Sequence, residues 1–204
     1  MKSEKELLLL CKGNFGRSGC VYFALRGAKV VALDNNSNAL SETIEFVKGE
    51  CSGVSEPRII SIECDVTKQS SVDNAIENAF QYWGTPHLLW NNAGYQGQIT
   101  PTLDYDIDDF ARVMNINVTG MFRVLQAVSK RMANASGDKS EDYKFAIVNT
   151  ASVAALRGTP AMVAYSSSKA AVIAMTVSSA KGEYKNGFIT TLFIIVLFIN
   201  VFRH

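Results

Sequence analysis

Three side chains in the second half of the sequence have types and a spacing suited to acid–base chemistry. Ser152 ends an apolar run, and Tyr165 and Lys169 follow it within the segment YSSSK. On a helix, Tyr165 and Lys169 would share one face, because they are four residues apart. A phenol titrates at about pH 10, and a nearby ammonium stabilises its phenolate, while a serine hydroxyl can orient the same substrate oxygen. The spacing alone also fits a serine-rich helix start with an exposed Tyr and Lys.

A fourth residue, Asn117, lies where the pattern calls for an apolar side chain. Steps of three or four residues connect it to apolar neighbours from Ile107 to Met132, so a helix would place its amide on the buried stripe. Burying an amide without partners costs about 1 to 3 kcal/mol, so we expect a backbone group or an ordered water to bond it. A structural and a functional role for Asn117 fit this pattern equally well.

A second group of residues, near the N-terminus, has the arrangement of a dinucleotide site. The run KGNFG at residues 12–16 follows an apolar strand and precedes a helical segment, and the next strand ends at Asp34. Glycines let backbone N–H groups approach a pyrophosphate, and a helix N-terminus favours its charge. A carboxylate after the second strand accepts ribose hydroxyls and repels a 2′-phosphate, so Asp34 predicts NAD(H). The alternative for Asp34 is a strand-end residue that caps the next turn.

The elements that must position these residues alternate along the chain. Apolar runs predict strands at residues 7–11, 29–33, 59–64, 88–90 and 145–149, and helical periodicity predicts helices at 17–26, 38–48, 70–82, 107–132 and 161–180. This order predicts an α/β fold, a doubly wound parallel sheet in a single domain. Such sheets bind ligands at the carboxyl ends of their strands, where the residues named above lie.

Composition and charge exclude several classes of function. The 204 residues include 20 Lys and Arg against 19 Asp and Glu, so the formal charge is +1. This balance offers no basic field for nucleic acid or an anionic membrane. The chain has two histidines and four cysteines without the spacing of a zinc site, so we expect no metal. The cysteines fit reduced thiols, which predicts a cytoplasmic protein.

Together these motifs resemble the short-chain dehydrogenase/reductase family from residue 7 to residue 183. The features that carry the resemblance are NNAG at residues 91–94, Ser152 followed by the YxxxK motif, and Asn117 within NINVTG. The stretches NNAGYQG and DDFARVMNINVTGMF look most like polyol dehydrogenases of the xylitol dehydrogenase type.

The resemblance implies a Rossmann fold and reversible hydride transfer between NAD(H) and a secondary alcohol, such as a polyol, or its ketone. By this resemblance Tyr165 is the general acid/base, Lys169 lowers its pKa and holds the nicotinamide ribose, Ser152 orients the substrate, and Asn117 anchors a proton-relay water. With the glycine turn included, the expected cofactor-binding residues are Gly13, Asn14, Phe15, Gly16, Asp34, Asp65, Val66, Asn92, Tyr165 and Lys169.

The glycine turn departs from the family pattern, which opens with Thr-Gly-x-x-x-Gly-x-Gly. Leu9 and Leu10 stand over the threonine and the first glycine, Asn14 fills the middle glycine position, and Gly16 retains the last one. A leucine side chain beneath a pyrophosphate would clash or force the turn open. We therefore expect weaker cofactor binding than the full motif gives.

The end of the chain also departs from the family, which continues after residue 183 through a sixth strand, a substrate-binding loop and a seventh strand. Here an apolar run occupies residues 188–202. As a helix it would span about 22 Å, less than the roughly 30 Å of a bilayer core, so we favour a truncated domain over a membrane anchor. We divide the chain into a partial Rossmann domain, residues 1–187, and an apolar tail, residues 188–204.

Two consequences follow from this ending. Residues 187–193 can pair as a sixth strand, whereas the missing edge would compromise a family-type homo-oligomer. The alternative function is a catalytically impaired nucleotide-binding or scaffold protein of the same fold, with a C-terminal membrane anchor as one form of it.

Overall fold

The fold is that of a computed structural model, which describes residues 6–10, 13–53, 57–135, 145–183 and 188–193. Its strands are β1 (Glu6–Leu10), β2 (Lys29–Asp34), β3 (Ile59–Glu63), β4 (Leu88–Asn91), β5 (Phe145–Thr150) and β6 (Phe188–Phe193). Its α-helices are α1 (Gly13–Ala24), α2 (Ser37–Glu50), α3 (Gln69–Trp83), α4 (Ile107–Met114), α5 (Met121–Ala135), α6 (Ala154–Arg157) and α7 (Val163–Glu183). The predicted alternation of strands and helices is confirmed.

The strands form one parallel sheet in the order β3-β2-β1-β4-β5-β6. From the middle of the sheet, β1, β2 and β3 follow one another toward one edge, and β4, β5 and β6 follow one another toward the other edge. The direction in which strands are added therefore reverses between the neighbours β1 and β4. All carboxyl ends lie at one edge because the strands are parallel. This is the doubly wound α/β sheet that the sequence predicts, and its ligand-binding edge lies at the reversal.

Strand β2 shows why these apolar runs form a buried sheet. Its alternate residues pack into two separate clusters, because neighbouring side chains of a strand point to opposite faces. Val30 and Ala32 pack with residues of α1 and α2. Val31 and Leu33 pack with residues of α3 and α5 on the other face. A continuous apolar run is therefore needed to cover both faces.

The predicted long helix at residues 107–132 is wrong in one respect, because it is divided. A π-helical turn, Asn115–Gly120, separates α4 from α5. Ile107, placed on the apolar stripe by the sequence pattern, is 74% exposed, and Asp109 and Val113 are buried instead. The π-helical turn has more residues per turn than an α-helix, so it rotates the buried face of α5 relative to that of α4. A single spacing of apolar residues therefore does not describe both helices.

The C-terminal apolar segment begins with a strand. Phe188–Phe193 pairs in parallel with β5, from Phe145 opposite Phe188 to Thr150 opposite Phe193. This confirms the pairing expected for the sixth strand, and it moves the first six residues of the predicted tail into the sheet. Residue 187 and residues 194–204 lie outside the described part of the chain. Among the described helices, none is both long enough and apolar enough to cross a bilayer.

Candidate functional site

A cavity of about 200 Å³ opens at the carboxyl ends of β4 and β5. It brings together three of the four predicted catalytic residues, Ser152, Tyr165 and Lys169. Among the described residues, its lining consists of Phe15, Asn92, Gly94, Tyr95, Gln96, Thr150, Ala151, Ser152, Tyr165 and Lys169. The strand β5 delivers Ser152 just beyond its end, and α7 carries Tyr165 and Lys169 one turn apart on the same face. The spacing in the sequence left open a serine-rich helix start with an exposed Tyr and Lys, whereas the structure places all three side chains in one cavity.

Lys169 lies deep in this cavity, with 3% of its surface exposed. Its Nζ atom donates a 2.7 Å hydrogen bond to the main-chain oxygen of Thr150. The same atom lies 5.8 Å from the centre of the Tyr165 ring. Burial disfavours the charged ammonium, and this lowers the pKa of Lys169 to about 8. The amine is thus held at the ring and is ready to exchange a proton near neutral pH.

Tyr165 does not have the lowered pKa expected from its neighbour. Burial is the largest influence and raises the pKa of the phenol, while a hydrogen bond with Ser152 opposes that change. The Lys169 amine donates its hydrogen bond to the main-chain oxygen of Thr150. The phenol is therefore protonated at neutral pH, as a proton donor must be.

Ser152 forms the turn that joins β5 to α6. Its hydroxyl oxygen accepts a hydrogen bond from the backbone N–H of Ala154 over 3.2 Å. This contact fixes the side chain at the start of the short helix and leaves the hydroxyl hydrogen to be donated. Ser152 therefore stands beside Tyr165 as a donor toward the cavity.

Asn117 lies behind the cavity wall and is completely buried. Its Nδ2 atom donates to the carbonyl oxygen of Tyr95 over 2.8 Å and to Oγ of Ser168 over 2.9 Å, and its Oδ1 atom accepts from the N–H of Tyr95 over 2.7 Å. Of the two partners expected from the sequence, the backbone group is found. Both amide N–H groups are used, so the side chain has none left to donate to a relay water.

A second, smaller cavity of about 50 Å³ lies at the ends of β2, β3 and β4. It contains three predicted cofactor-binding residues, Asp34, Asp65 and Val66, and its other lining residues are Leu33, Asn35, Cys64, Thr67, Ala93, Gly94 and Ile116. Gly94 belongs to both cavities. The two cavities therefore meet at the residue that ends the NNAG motif.

The two carboxylates of this cavity also stabilise local turns. Asp34 accepts a 3.0 Å hydrogen bond from the backbone N–H of Asn36, so the capping alternative raised by the sequence is realised. Asp65 accepts from the hydroxyl and the N–H of Thr67 and forms an ion pair with Lys68. The Thr67 hydroxyl is the main cause of a pKa of Asp65 below its ordinary value. Both side chains are therefore oriented by hydrogen bonds, and Asp65 is anionic at neutral pH.

The lining of the joined cavities changes in character from one end to the other. Carboxylates lie at one end, apolar Val66, Ala93 and Ile116 line the adjoining slot, and the polar cluster around Tyr165 lies at the other end. A Cβ atom on Gly94 would stand 3.5 Å from both Asn117 Oδ1 and Lys169 Nζ. A side chain at Gly94 would therefore stand where the two cavities meet.

The glycine turn is only partly within the described residues. Leu9 and Leu10 are the last residues of β1, and residues 11 and 12 lie outside the described part of the chain. Helix α1 then begins at Gly13, whose φ of +65° is one that glycine adopts readily. Phe15 lines the larger cavity and Gly16 is buried, while the side chain of Asn14 lies outside the described part.

Several site residues were missed at the level of sequence. Thr150 anchors the Lys169 amine, and Tyr95 and Gln96 line the cavity directly after the NNAG motif. Tyr95 and Gln96 directly follow the NNAG motif, and this position could have identified them as site residues. The role of Thr150 depends on a main-chain oxygen, for which residue type gives no signal. In the described ranges, no three His, Cys, Asp or Glu side chains are grouped as metal ligands.

Comparison with known proteins gives a consistent result. The family model described as short chain dehydrogenase matches residues 11–200. A 3-hydroxyacyl-CoA dehydrogenase type-2 of Drosophila melanogaster is 32% identical over 186 residues, covering 89% of this chain and 69% of that protein. A sorbitol dehydrogenase of Cereibacter sphaeroides is 30% identical over 173 residues, covering 84% of this chain and 61% of that protein.

Solved structures share the same fold. An NAD⁺-bound xylitol dehydrogenase superposes with a TM-score of 0.86 and 35% identity, covering 96% of this chain and 72% of its own. The chain spans between 54% and 69% of the length of five curated relatives that it matches. The family model covers most of the sequence. This chain therefore belongs to the short-chain dehydrogenase/reductase family.

Proposed function

We propose that this chain is an NAD(H)-dependent oxidoreductase that interconverts a secondary alcohol of the polyol type and the corresponding ketone. The observation that carries the proposal is the convergence of Ser152, Tyr165 and Lys169 in one cavity that meets the Asp34 and Asp65 cavity at Gly94. One cavity has the groups for moving a hydroxyl proton, and the other has the groups for holding a nucleoside. A hydride transfer between bound nucleotide and alcohol needs both.

In the proposed reaction, Tyr165 exchanges the proton of the reacting oxygen. In ketone reduction its phenol donates a proton to the carbonyl oxygen, and in alcohol oxidation its phenolate accepts the hydroxyl proton. When bound, NADH would supply the hydride for ketone reduction, and NAD⁺ would accept it in alcohol oxidation. Ser152 donates a hydrogen bond to the same oxygen and so stabilises the charge that develops there. The burial that raises the pKa of Tyr165 keeps its proton available at neutral pH.

Lys169 is proposed to connect the phenol with the nucleotide. Its buried Nζ atom lies beside the Tyr165 ring and 3.5 Å from the position of a Cβ on Gly94, at the junction of the two cavities. From there the amine can donate to a ribose hydroxyl while it retains its bond to Thr150, because an ammonium has three N–H groups. A pKa of about 8 also lets it pass a proton on to solvent or to Tyr165.

Asp34 is proposed to set the preference for NAD(H) over NADP(H). Its carboxylate lies in the smaller cavity at the end of β2, where an acid accepts ribose hydroxyls and repels a 2′-phosphate. The bond from the Asn36 N–H orients the carboxylate and does not exclude this role. The similar xylitol dehydrogenase is named as NAD⁺-bound, which supports the same preference.

The polyol class is the finer part of the proposal. Gln96 is an exposed amide in the lining of the larger cavity, beside Ser152 and Tyr165. Such a side chain can bond a second hydroxyl of the substrate. The sorbitol and xylitol dehydrogenases among the similar proteins support this class. A non-catalytic scaffold is not favoured, because it has no need for the buried ammonium at Tyr165.

Turnover tests the proposal directly. The 204-residue chain is incubated with NAD⁺ and, separately, with xylitol, sorbitol, 2,3-butanediol and 2-propanol, and NADH formation is followed by absorbance. We expect oxidation of the polyols and a loss of about 100-fold or more in Tyr165→Phe, the range of general acid–base catalysis. Tyr82→Phe, at a phenol that is 65% exposed, is the control. Equal activity of Tyr165→Phe and the wild type would contradict the proposed role.

A further inference from the structure

A buried carboxylate outside the two cavities holds the loop that forms one wall of the larger one. Asp109, in the first turn of α4, is 8% exposed. Its Oδ1 atom accepts a 3.1 Å hydrogen bond from the Tyr95 hydroxyl, and its Oδ2 atom accepts from the Gln98 N–H over 2.8 Å and from the Tyr105 hydroxyl over 2.9 Å. One side chain thus receives three donors, two of them from the loop that follows β4.

The loop held in this way is the one that carries Tyr95 and Gln96 into the cavity lining. Asn117 fixes the backbone of Tyr95 through both its N–H and its carbonyl oxygen. Asp109 fixes the ring end of Tyr95 and the backbone at Gln98. Gln96 therefore lies between anchored residues on both sides, and its exposed amide is presented at a defined place beside the catalytic cluster.

The loop packs on α4 without spare space. Gly97 has φ +75°, and a Cβ atom there would stand 2.5 Å from Val113 Cγ2, 2.6 Å from the Tyr105 hydroxyl oxygen and 2.9 Å from Asp109 Oδ2. Those distances are shorter than any van der Waals contact, so a glycine is needed where the loop crosses the carboxylate. The close approach is what lets Oδ2 reach the Gln98 N–H.

The hydrogen-bond donors around Asp109 keep its carboxylate ionised. The Gln98 N–H is the main cause of a pKa of Asp109 below its ordinary value, and Arg112 contributes through its charge. The Arg112 guanidinium also lies 4.7 Å from the centre of the Tyr95 ring. An anion that accepts three hydrogen bonds holds its donors more firmly than a neutral acceptor does.

We infer that Asp109 is a positioning residue for substrate binding, which acts by clamping the loop of residues 94–98 so that Tyr95 and Gln96 form a fixed wall of the cavity. The inference rests on the proposed function, because the wall matters only if the cavity receives a substrate. Asp109 itself does not line the cavity. Its influence on the reaction therefore passes through Tyr95 and Gln96.

Substitution of the carboxylate by an amide tests the clamp. In Asp109→Asn, the negative charge is lost and one oxygen becomes an NH₂ group, so the side chain can no longer accept all three hydrogen bonds and holds the remaining donors less firmly. The control is Asp108→Asn, because Asp108 occupies the same helical turn and is exposed. Amide hydrogen exchange is measured in the unliganded chain by NMR. We expect at least tenfold faster exchange at Gln98 in Asp109→Asn, unchanged exchange in β5, and no change in Asp108→Asn.

A comparison of KM, kcat and Kd distinguishes a positioning role of Asp109 from a general loss of structure. We expect KM for xylitol to rise at least tenfold in Asp109→Asn, while kcat falls less than threefold and the Kd for NADH changes less than twofold. Tyr95→Phe removes a single bond to Asp109 and keeps the ring, so it serves as a milder variant if Asp109→Asn fails to fold. It is expected to raise both Gln98 exchange and KM in the same direction.

The outcomes distinguish this inference from the proposed function. Unchanged Gln98 exchange in Asp109→Asn overturns the clamp, and faster exchange with an unchanged KM overturns its role in substrate binding. If the wild-type chain neither binds NADH nor oxidises a polyol, the proposed function fails. Positioning for substrate then fails with it, whereas Gln98 exchange still decides whether Asp109 holds the loop.

Discussion

The Nζ atom of Lys169 donates a 2.7 Å hydrogen bond to the main-chain oxygen of Thr150, and this contact ties α7 to the end of β5. The two elements deliver the site from different parts of the chain, since Tyr165 comes from the helix and Ser152 follows the strand. A buried bond between them fixes the distance between phenol and hydroxyl. This arrangement leaves Lys169 only 3% exposed, and the burial of its ammonium makes the stability of the fold depend on pH.

The stability of the fold should rise with pH through the titration of Lys169. Burial lowers its pKa from 10.5 to about 8, so between these values the folded state gives up its proton before the unfolded state does. The unfolded state then binds more protons, and the free energy of unfolding increases with pH; below pH 8 the full cost of the buried charge is present. Lys169→Met removes this dependence.

Urea unfolding of the wild type and Lys169→Met at pH 7 and pH 9.5 measures the effect. The difference in the free energy of unfolding, wild type minus variant, should rise by roughly 2 kcal/mol between the two pH values. Lys181→Met, at an exposed position of the same helix, should show no such rise. A difference that stays flat or falls would show that the amine is not desolvated as described.

The rate of alcohol oxidation should rise with pH toward the pKa of Tyr165. Oxidation needs the phenolate as proton acceptor, and burial raises the pKa of this phenol. The ascending limb of the pH–rate profile therefore lies on the alkaline side. The Ser152 hydrogen bond opposes the shift, and Ser152→Ala should therefore move the limb to still higher pH. The profile of kcat/KM against pH for xylitol oxidation reports the free enzyme and measures both, with the exposed Ser178→Ala as control. A limb that moves to lower pH in Ser152→Ala would exclude the bond.

Loss of the Asn117 amide should destabilise the fold. Asn117→Ala removes the two hydrogen bonds that this amide forms with the N–H and the carbonyl oxygen of Tyr95. Each buried unsatisfied group costs about 1 to 3 kcal/mol, so we expect a loss of at least about 2 kcal/mol in urea unfolding. Asn115→Ala, at an exposed residue of the same π-helical turn, should cost far less. Equal losses in the two variants would mean that the Tyr95 contacts do not stabilise the protein.

Gly94→Ala should separate folding from nucleotide binding. The nearest atoms to an added Cβ are Asn117 Oδ1 and Lys169 Nζ at 3.5 Å, an ordinary contact distance, so the fold should tolerate the methyl group. The methyl group would, however, stand at the junction of the two cavities. We expect the midpoint of urea unfolding to stay within experimental error and the Kd for NADH to rise at least tenfold. Unimpaired NADH binding would place the nucleotide elsewhere.

Much of the fold could be predicted because its causes are local. Apolar runs of strand length, buried on both faces, alternate with helical segments, and the YxxxK spacing puts Tyr165 and Lys169 on one helical face. The division of the long helix at Asn117 could not be predicted in this way. Its amide bonds the backbone of Tyr95, 22 residues earlier, and such a tertiary contact leaves no mark in local periodicity.

The acidic residues of α4 also show why part of the site could not be predicted from the sequence. Asp108 and Asp109 are adjacent and chemically identical, yet the first is exposed and the second is buried with three donors. The helical phase decides between them, and the π-helical turn shifts that phase. Likewise, the pKa of Tyr165 depends on burial and on Ser152, which the spacing of Tyr165 and Lys169 does not reveal.

Binding of NADH to the 204-residue chain tests the central claim most directly. Trp90 is a suitable reporter, because its Nε1 atom donates to the Thr150 hydroxyl over 2.9 Å and Thr150 lines the larger cavity. With Trp83→Phe as background, quenching of Trp90 emission by energy transfer is titrated with NADH and with NADPH. We predict saturable NADH binding at least tenfold tighter than that of NADPH, with the difference lost in Asp34→Ser. A folded chain without saturable NADH binding would contradict the account.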